Sequence, residues 1–388
     1  MTTVNSNYDA VVIGGGPAGS SAALTLARAG RRVLLAEMTV TVPFKIGESL
    51  PPAARPLLRD LGLESRMIAS DHLSSPGTVA VWGGDYPVER DFIRDPQGPG
   101  WHLDRPAFDA DLRTAAWAAG VDVRVGCACV GAVRAAPSAP WALLFAPESG
   151  VLHVSTPWVI DATGRRALIA EKNGVLGERD DALVAFCAIL PASSEATDTR
   201  SWVESVEDGW WYATRLPDHR RLVAFFTDDD LPAARKADTI AGLARHLSKT
   251  RHIRSVLGEI SAGSMDRVRR FPAGGVSRSM FAGDGWLAVG DASLAFDPLS
   301  SQGIFHALYT GLRGAQTVLA CVAGDPNALI DWNTRLRSIR SAYRSHLAEC
   351  YEAETRWPDS LFWQCRHGQS APRAPHAETA AAAWAAAF

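Results

Sequence analysis

The sequence predicts an α/β protein: a Rossmann-like lobe, an inserted and mainly antiparallel β-sheet lobe, and C-terminal helices. Three observations carry this. The chain opens with a strand–glycine turn–helix–strand unit, "YDAVVIGGG…SSAALTLARAG…RRVLLAE". Its middle holds consecutive strand-like runs without crossover helices between most of them. The α/β texture then returns at "GWLAVGDAS" and runs into helix up to about residue 367.

Taken in order, Val11, Val12 and Ile13 form an unbroken apolar run before glycines, the pattern of a buried parallel strand. A helix closed by Gly30 and a second buried strand complete a βαβ unit. "FDADLRTAAWAAG", "VDVRVGCACVGAV" and "PWVIDATG" continue that texture. By contrast "GTVAVWGGDYPVERDFI", "ALVAFCAIL", "SWVESVEDGWWYATRLP" and "RRLVAFFTD" read as strands of one sheet, with "LPDHRR" as a hairpin turn. These textures place the dinucleotide-type lobe at residues 1–76, 98–175 and 281–325, and the inserted lobe at 77–97 and 176–280. C-terminal helices take 326–367, and 368–388 is a low-complexity Pro/Ala-rich tail with at most one short helix. Asp228, Asp229 and Asp230 read as the first turn of the next helix rather than a metal site.

Composition narrows the function classes. Hydrophobic residues make up 47% and charged residues 21%, and the net charge of −3 gives no reason to expect nucleic acid as a partner. Six scattered cysteines lack zinc-type spacing and read as reduced thiols in a cytoplasmic protein. No signal peptide is evident, and no apolar run reaches the ~18 residues that a transmembrane segment needs.

Gly14-Gly15-Gly16-Pro17-Ala18-Gly19 contains G-x-G-x-x-G between the first strand and its helix. Gly14 permits the tight turn, Gly16 lets backbone approach a pyrophosphate, and Gly19 lets helix and strand pack closely. The helix N-terminus offers free N–H groups and a favourable dipole to the phosphates. Glu37 ends the second strand, where a carboxylate accepts hydrogen bonds from ribose hydroxyls and disfavours a 2′-phosphate. The site therefore suits FAD or NAD.

The stretch "GWLAVGDASLAFDPLSSQGIFHALYTG" decides for FAD by resemblance. With "VIDATGRR", "KIGESL" and "HLDRPAFDADLRTAA", it resembles the flavoprotein monooxygenase and flavin-dependent halogenase superfamily, with the p-hydroxybenzoate hydroxylase type of fold. The resemblance spans roughly residues 8 to 367. It implies that Asp291 lies on the FAD ribityl chain, that Asp297-Pro298 lies beside the flavin ring, and that Arg105 contacts FAD. It also places Gly303 and Ile304 at a helix start near the flavin and Glu48 in a segment passing near it. Independently, a helix beginning at Gly303 would aim its positive end at charge on reduced flavin, with N–H donors around Ser301, Gln302 and Gly303.

The chemistry is narrower still. "GWWYATRLP" only partly resembles the Trp-x-Trp-x-Ile-Pro of halogenases: Trp210 matches the first tryptophan, but Tyr212 stands at the second. Halogenases also need a lysine on the first strand of the substrate lobe, here "SPGTVAVWGG", which has none. Lys45, Lys172, Lys236 and Lys249 are the only lysines. "DGWWYATRLP", "DPLSSQGIFHAL" and "RWPDSLFWQCRH" resemble a halogenase-like monooxygenase branch that modifies peptidyl tryptophan during cysteine tryptophylquinone maturation. That resemblance implies reduction of FAD by NADH or NADPH, addition of O₂ at the flavin C4a, and transfer of OH from the hydroperoxide to an electron-rich aromatic ring. The substrate would be an indole or a tryptophan-containing peptide or protein. The nicotinamide donor docks transiently, or a separate flavin reductase supplies electrons. Glu48, Trp210, Tyr212 and Pro298 are the expected catalytic group, with Trp211 and His102 also near the pocket. Alternation along a strand requires that Trp210 and Trp211 face opposite sides of the sheet. A flavin-dependent halogenase, a geranylgeranyl-reductase-like enzyme and a flavin-binding scaffold stand as alternatives.

Overall fold

The computed structural model describes residues 4–40, 44–147, 150–192, 197–258 and 262–367; the tail expected at 368–388 lies outside the described residues. Two large sheets dominate the fold. The first has six strands in the order Ala282–Gly283, Trp286–Ala288, Trp158–Asp161, Ala10–Ile13, Val33–Glu37 and Asp122–Val125. All neighbours are parallel except the first pair. Val11, Val12, Leu34 and Leu35 are fully buried, because helices cover one face and a four-stranded sheet covers the other. The first helix, Pro17–Arg28, packs against the long helix Gly303–Val322. Gly311 makes that contact possible: a Cβ there would overlap the carbonyl oxygen of Ala18.

The second sheet has seven strands in the order Arg269–Pro272, Leu183–Pro191, Arg220–Asp228, Gly209–Arg215, Ser201–Val206, Gly77–Val81 and Val88–Asp91. Every pairing is antiparallel save that of Ser201–Val206 with Gly77–Val81, where the chain returns from the first lobe. Its two faces bury separate cores. One packs on the helices Pro232–Ala237, Ile240–Leu247 and His252–Leu257, through Trp211, Phe225 and Val223. The other packs on the end of the helix Ala328–Glu352 and on Leu361–His367, through Trp210, Phe226, Trp82 and Trp363.

One expectation is corrected here. Asp228 is the last residue of a strand, and its carboxylate takes both Nη atoms of the buried Arg366 at 2.7 and 2.8 Å. The following helix starts only at Pro232, after the turn that Asp229 and Asp230 occupy. Asp228 therefore ties the C-terminal helix to the sheet, and the run does not open a helix. No cluster of metal-ligating side chains occurs among the described residues.

Candidate active site

A continuous cavity of about 730 Å³ runs from the glycine turn of the first lobe to the open face of the second sheet. Gly14, Gly16, Pro17, Ala18 and Glu37 line its first end; Arg105, Arg165, Asp291, Pro298, Gly303 and Ile304 line its middle. Glu48, Trp210, Tyr212, Leu222, Phe226 and Phe271 line its far end. Gly19 does not line it. A Cβ there would overlap the Gly14 carbonyl, so this glycine sets how closely helix and strand approach.

The first end is made of backbone. Gly14 holds a φ of +109°, and a Cβ on it would overlap the Ala162 carbonyl, so only glycine fits without strain. Gly16 is the N-cap of the Pro17–Arg28 helix, no side chain caps that end, and a Cβ on Gly16 would meet nothing within 4 Å. Free N–H groups and an open approach are what a pyrophosphate needs. The Glu37 carboxylate accepts from the Gly15 N–H at 2.7 Å and the Thr39 N–H at 2.9 Å. Burial opposes its ionisation, but these hydrogen bonds prevail and hold its pKa below the usual glutamate range.

The middle repeats the device. The helix Gly303–Val322 begins behind Gln302 with no side-chain cap and no acidic residue in its first turn, and Gly303 leaves open space before it. Two uncapped helix N-termini thus face one cavity. Arg105, the first residue of the helix Arg105–Ala118, donates to the carbonyls of Ile46 (3.2 Å) and Gly47 (2.7 Å) and pairs with the buried Asp109. It pins the segment that carries Glu48. Asp291 lies 3.9 Å from Arg165 and half-exposed to the cavity. Asp161, from the "VIDATGRR" motif, is fully buried and accepts from Thr163, Ile169 and Ala170, so it braces the turn whose Thr163 and Gly164 line the cavity. A dinucleotide at the first end and an anionic ring system at the second fit this donor set.

The far end is made of side chains from distant segments. Tyr212 donates its hydroxyl to Glu48 Oε1 at 2.6 Å, across 164 residues of sequence. Glu48 is almost wholly buried, and that burial pushes its pKa up despite the hydrogen bonds from Tyr212 and the Gly47 N–H. Burial and the Glu48 charge push the Tyr212 hydroxyl well above 10, so it remains a donor. Trp210 stacks on Phe226 with ring centroids 3.8 Å apart and planes within 9°. Pro298 follows Asp297, whose buried carboxyl accepts from Tyr351 at 2.7 Å.

Two residues expected near the pocket are elsewhere. Trp211 points to the opposite face, fully buried and stacked on Phe225. His102 is sealed between Thr214 Oγ1 (3.0 Å) and the Thr199 carbonyl (2.8 Å), and burial lowers its pKa to about 4. It is a neutral internal brace. Phe226, Tyr351 and Arg165 were not anticipated. Phe226 could have been: the hairpin at 216–219 puts it directly opposite Trp210. Tyr351 sits in a long helix without any motif.

Fold and cavity together define a flavoprotein oxidoreductase with FAD as its cofactor, and NAD(P)H and O₂ are typical of that class. The tryptophan halogenase family profile matches residues 87–386, and the pyridine nucleotide-disulphide oxidoreductase profile matches residues 8–52. The chain belongs to the tryptophan halogenase family of flavoenzymes. It is 30% identical to LodB of Marinomonas mediterranea, a putative FAD-dependent oxidoreductase, over 94% of this chain and 98% of the relative. Among solved structures it resembles CmlS, a flavin-dependent halogenase, with a TM-score of 0.85 and 26% identity, covering 93% of this chain and 68% of that one. QhpG, a peptidyl tryptophan dihydroxylase essential for tryptophylquinone cofactor biogenesis, shares the fold at a TM-score of 0.77 and 23% identity, over 96% and 81% of the two chains. No helix among the described residues is long and apolar enough to cross a membrane.

Proposed function

We propose that this protein is an FAD-dependent monooxygenase that hydroxylates an electron-rich aromatic ring, an indole or a tryptophan residue within a peptide. The observation that carries this reading is the Glu48–Tyr212 pair at the apolar far end of the cavity, where no lysine lies. Among the described residues Lys45 is the one lysine on the cavity wall; it stands on the flavin-side segment and is bound to Asp109 at 3.0 Å. The family trait of a lysine handling hypohalous acid thus has no counterpart at the aromatic end. QhpG, of the same fold, supports a peptide-bound substrate.

The flavin, when bound, supplies an electrophilic oxygen from O₂. Its pyrophosphate would be held by the Gly14–Gly19 turn, its ribose by Glu37, and its ring edge by the N–H groups before Gly303. Trp210, Phe226, Leu222 and Phe271 offer the apolar walls against which an aromatic ring can lie. Tyr212 keeps its proton and orients the Glu48 carboxyl. Glu48, buried and destabilised as an anion, is suited to take up the proton that the ring carbon loses after oxygen is added. The apolar walls limit the entry of water, which would divert the oxygen into H₂O₂.

The test is turnover with a flavin reductase and NAD(P)H under ¹⁸O₂, in bromide-containing buffer, with free indole and a tryptophan peptide. The expected product carries ¹⁸O and no bromine. A product with the bromine isotope pair and no ¹⁸O would establish the halogenase reading, which the similarity to CmlS favours. Anaerobic saturation of an alkene would favour the reductase reading.

A further inference from the structure

We propose that four indoles, Trp210, Trp82, Trp363 and Trp357, form an electron-transfer path that drains stray oxidising equivalents from the flavin cavity to the protein surface. The inference rests on flavin and oxygen chemistry alone and not on which group is transferred to substrate.

The path is continuous. Trp210 lines the cavity, and its ring centroid lies 6.4 Å from that of Trp82. Trp82 lies 5.4 Å from Trp363, and Trp363 is stacked on Trp357 at 5.9 Å. Tyr351 offers a parallel step, 5.9 Å from Trp82 and 6.1 Å from Trp363, so both routes converge on Trp363. Trp363 is fully buried, whereas Trp357 is half-buried and reaches the surface. Arg356 lies 4.3 Å over the Trp357 ring, but its charge is matched by Glu354 at 2.7 Å and Asp85 at 3.2 Å.

The indole N–H groups along the path are also matched to oxygen. Each buried indole N–H of the path faces an oxygen: Trp82 donates to the Cys350 carbonyl (2.7 Å) and Trp363 to the Val206 carbonyl (3.0 Å). Trp210 donates to Tyr351 Oη (3.2 Å), which in turn donates to Asp297. Oxygen acceptors stabilise positive charge on a ring that has lost an electron. Off the path, the buried Trp141 donates to the Gly285 carbonyl (2.9 Å) and Trp202 to Asp198 (3.0 Å), whereas Trp211 and Trp332 have no acceptor among the described residues.

The chemistry balances. A hydroxyl radical, formed when oxygen reduction goes astray in the cavity, takes one electron from Trp210 and one proton from solvent to become water. Electrons then step from Trp82 to Trp210, from Trp363 to Trp82, and from Trp357 to Trp363. A soluble thiol restores Trp357, releasing its proton and becoming a thiyl radical. The net change is hydroxyl radical plus thiol to water plus thiyl radical.

The experiment uses the FAD-loaded protein under anaerobic conditions. A blue light pulse makes the flavin a one-electron oxidant, and transient absorption follows the indole radical while dithiothreitol is varied. In the wild type the radical should decay faster as thiol is raised, because it reaches the surface. In Trp357→Phe the thiol dependence should fall by an order of magnitude, because the charge is stranded on Trp363. Trp357 is outside the catalytic end, so this variant should fold and turn over normally. Trp363→Phe, which cuts both routes, should abolish the thiol dependence. No indole radical in the wild type, a thiol-independent decay, or equal thiol dependence in Trp357→Phe would overturn the proposal. Isotope incorporation from ¹⁸O₂ measured on the same preparations reports separately on the hydroxylase reading.

Discussion

The two ends of the cavity are built by different means. At the nucleotide end, positive φ at Gly14, the open Cβ position of Gly16 and an uncapped helix start present backbone donors within six consecutive residues. At the aromatic end, Glu48, just before the short strand Ser49–Leu50, and Tyr212, on the seven-stranded sheet, meet across 164 residues. A site made of local backbone depends on which side chains are absent. One made of distant side chains depends on the whole fold being right. The first should therefore fail all at once on a single added side chain, and the second should fail in steps.

The largest expected effect breaks the nucleotide end alone. A Cβ at Gly16 meets nothing within 4 Å, so Gly16→Val should fold but lose FAD. Loss of charge-assisted phosphate contacts worth about 3 kcal/mol lowers affinity roughly a hundredfold, which a flavin-binding titration measures. At the other end, Glu48→Gln should leave the protein yellow while turnover drops on the order of a hundredfold, the usual scale for a lost proton acceptor. Combined with Tyr212→Phe the loss should be less than the product of the single losses, because the two residues act as a unit.

A smaller effect sharpens the boundary between the two ends. Burial, with the nearby charge of Asp181, pushes the Asp297 carboxyl up to about 7 from its usual 3.8. A carboxyl raised in the fold contributes stability that is complete below its unfolded pKa and is lost as pH rises through the folded one. Asp297→Asn cannot ionise, so the melting temperature of the variant minus that of the wild type should increase from about pH 5 to about pH 8. A flat difference would show that Asp297 does not titrate in that window. Least affected should be Trp211→Phe. Trp211 faces away from the cavity, and its N–H has no partner among the described residues, so turnover should be unchanged and stability should shift by about 1–2 kcal/mol in a melting experiment.

The same division explains what could be read from the chain. The glycine turn, Glu37 and the helix start at Gly303 are local patterns with one physical reading each, and each stands on the cavity wall. The alternation of Trp210 and Trp211 was also legible, since a strand leaves no other choice, but which face held the cavity was not. His102 was placed near the pocket by its position in the chain alone; only the fold shows Thr214 and the Thr199 carbonyl sealing it. Asp228 misled for a related reason. Its partner, Arg366, lies 138 residues away, and nothing local announces the pair. Tyr351 was silent because it comes from a helix whose pattern speaks only of packing.

The most direct measurement is on FAD-loaded Tyr212→Phe, scoring hydroxylated product and H₂O₂ against NAD(P)H consumed. If the aromatic end governs oxygen transfer and the nucleotide end governs binding, the variant should stay yellow and be reduced normally. Its oxygen should then leave largely as H₂O₂ and little product should form. Product yield equal to that of the wild type, or loss of the flavin itself, would contradict the division of labour between the two ends.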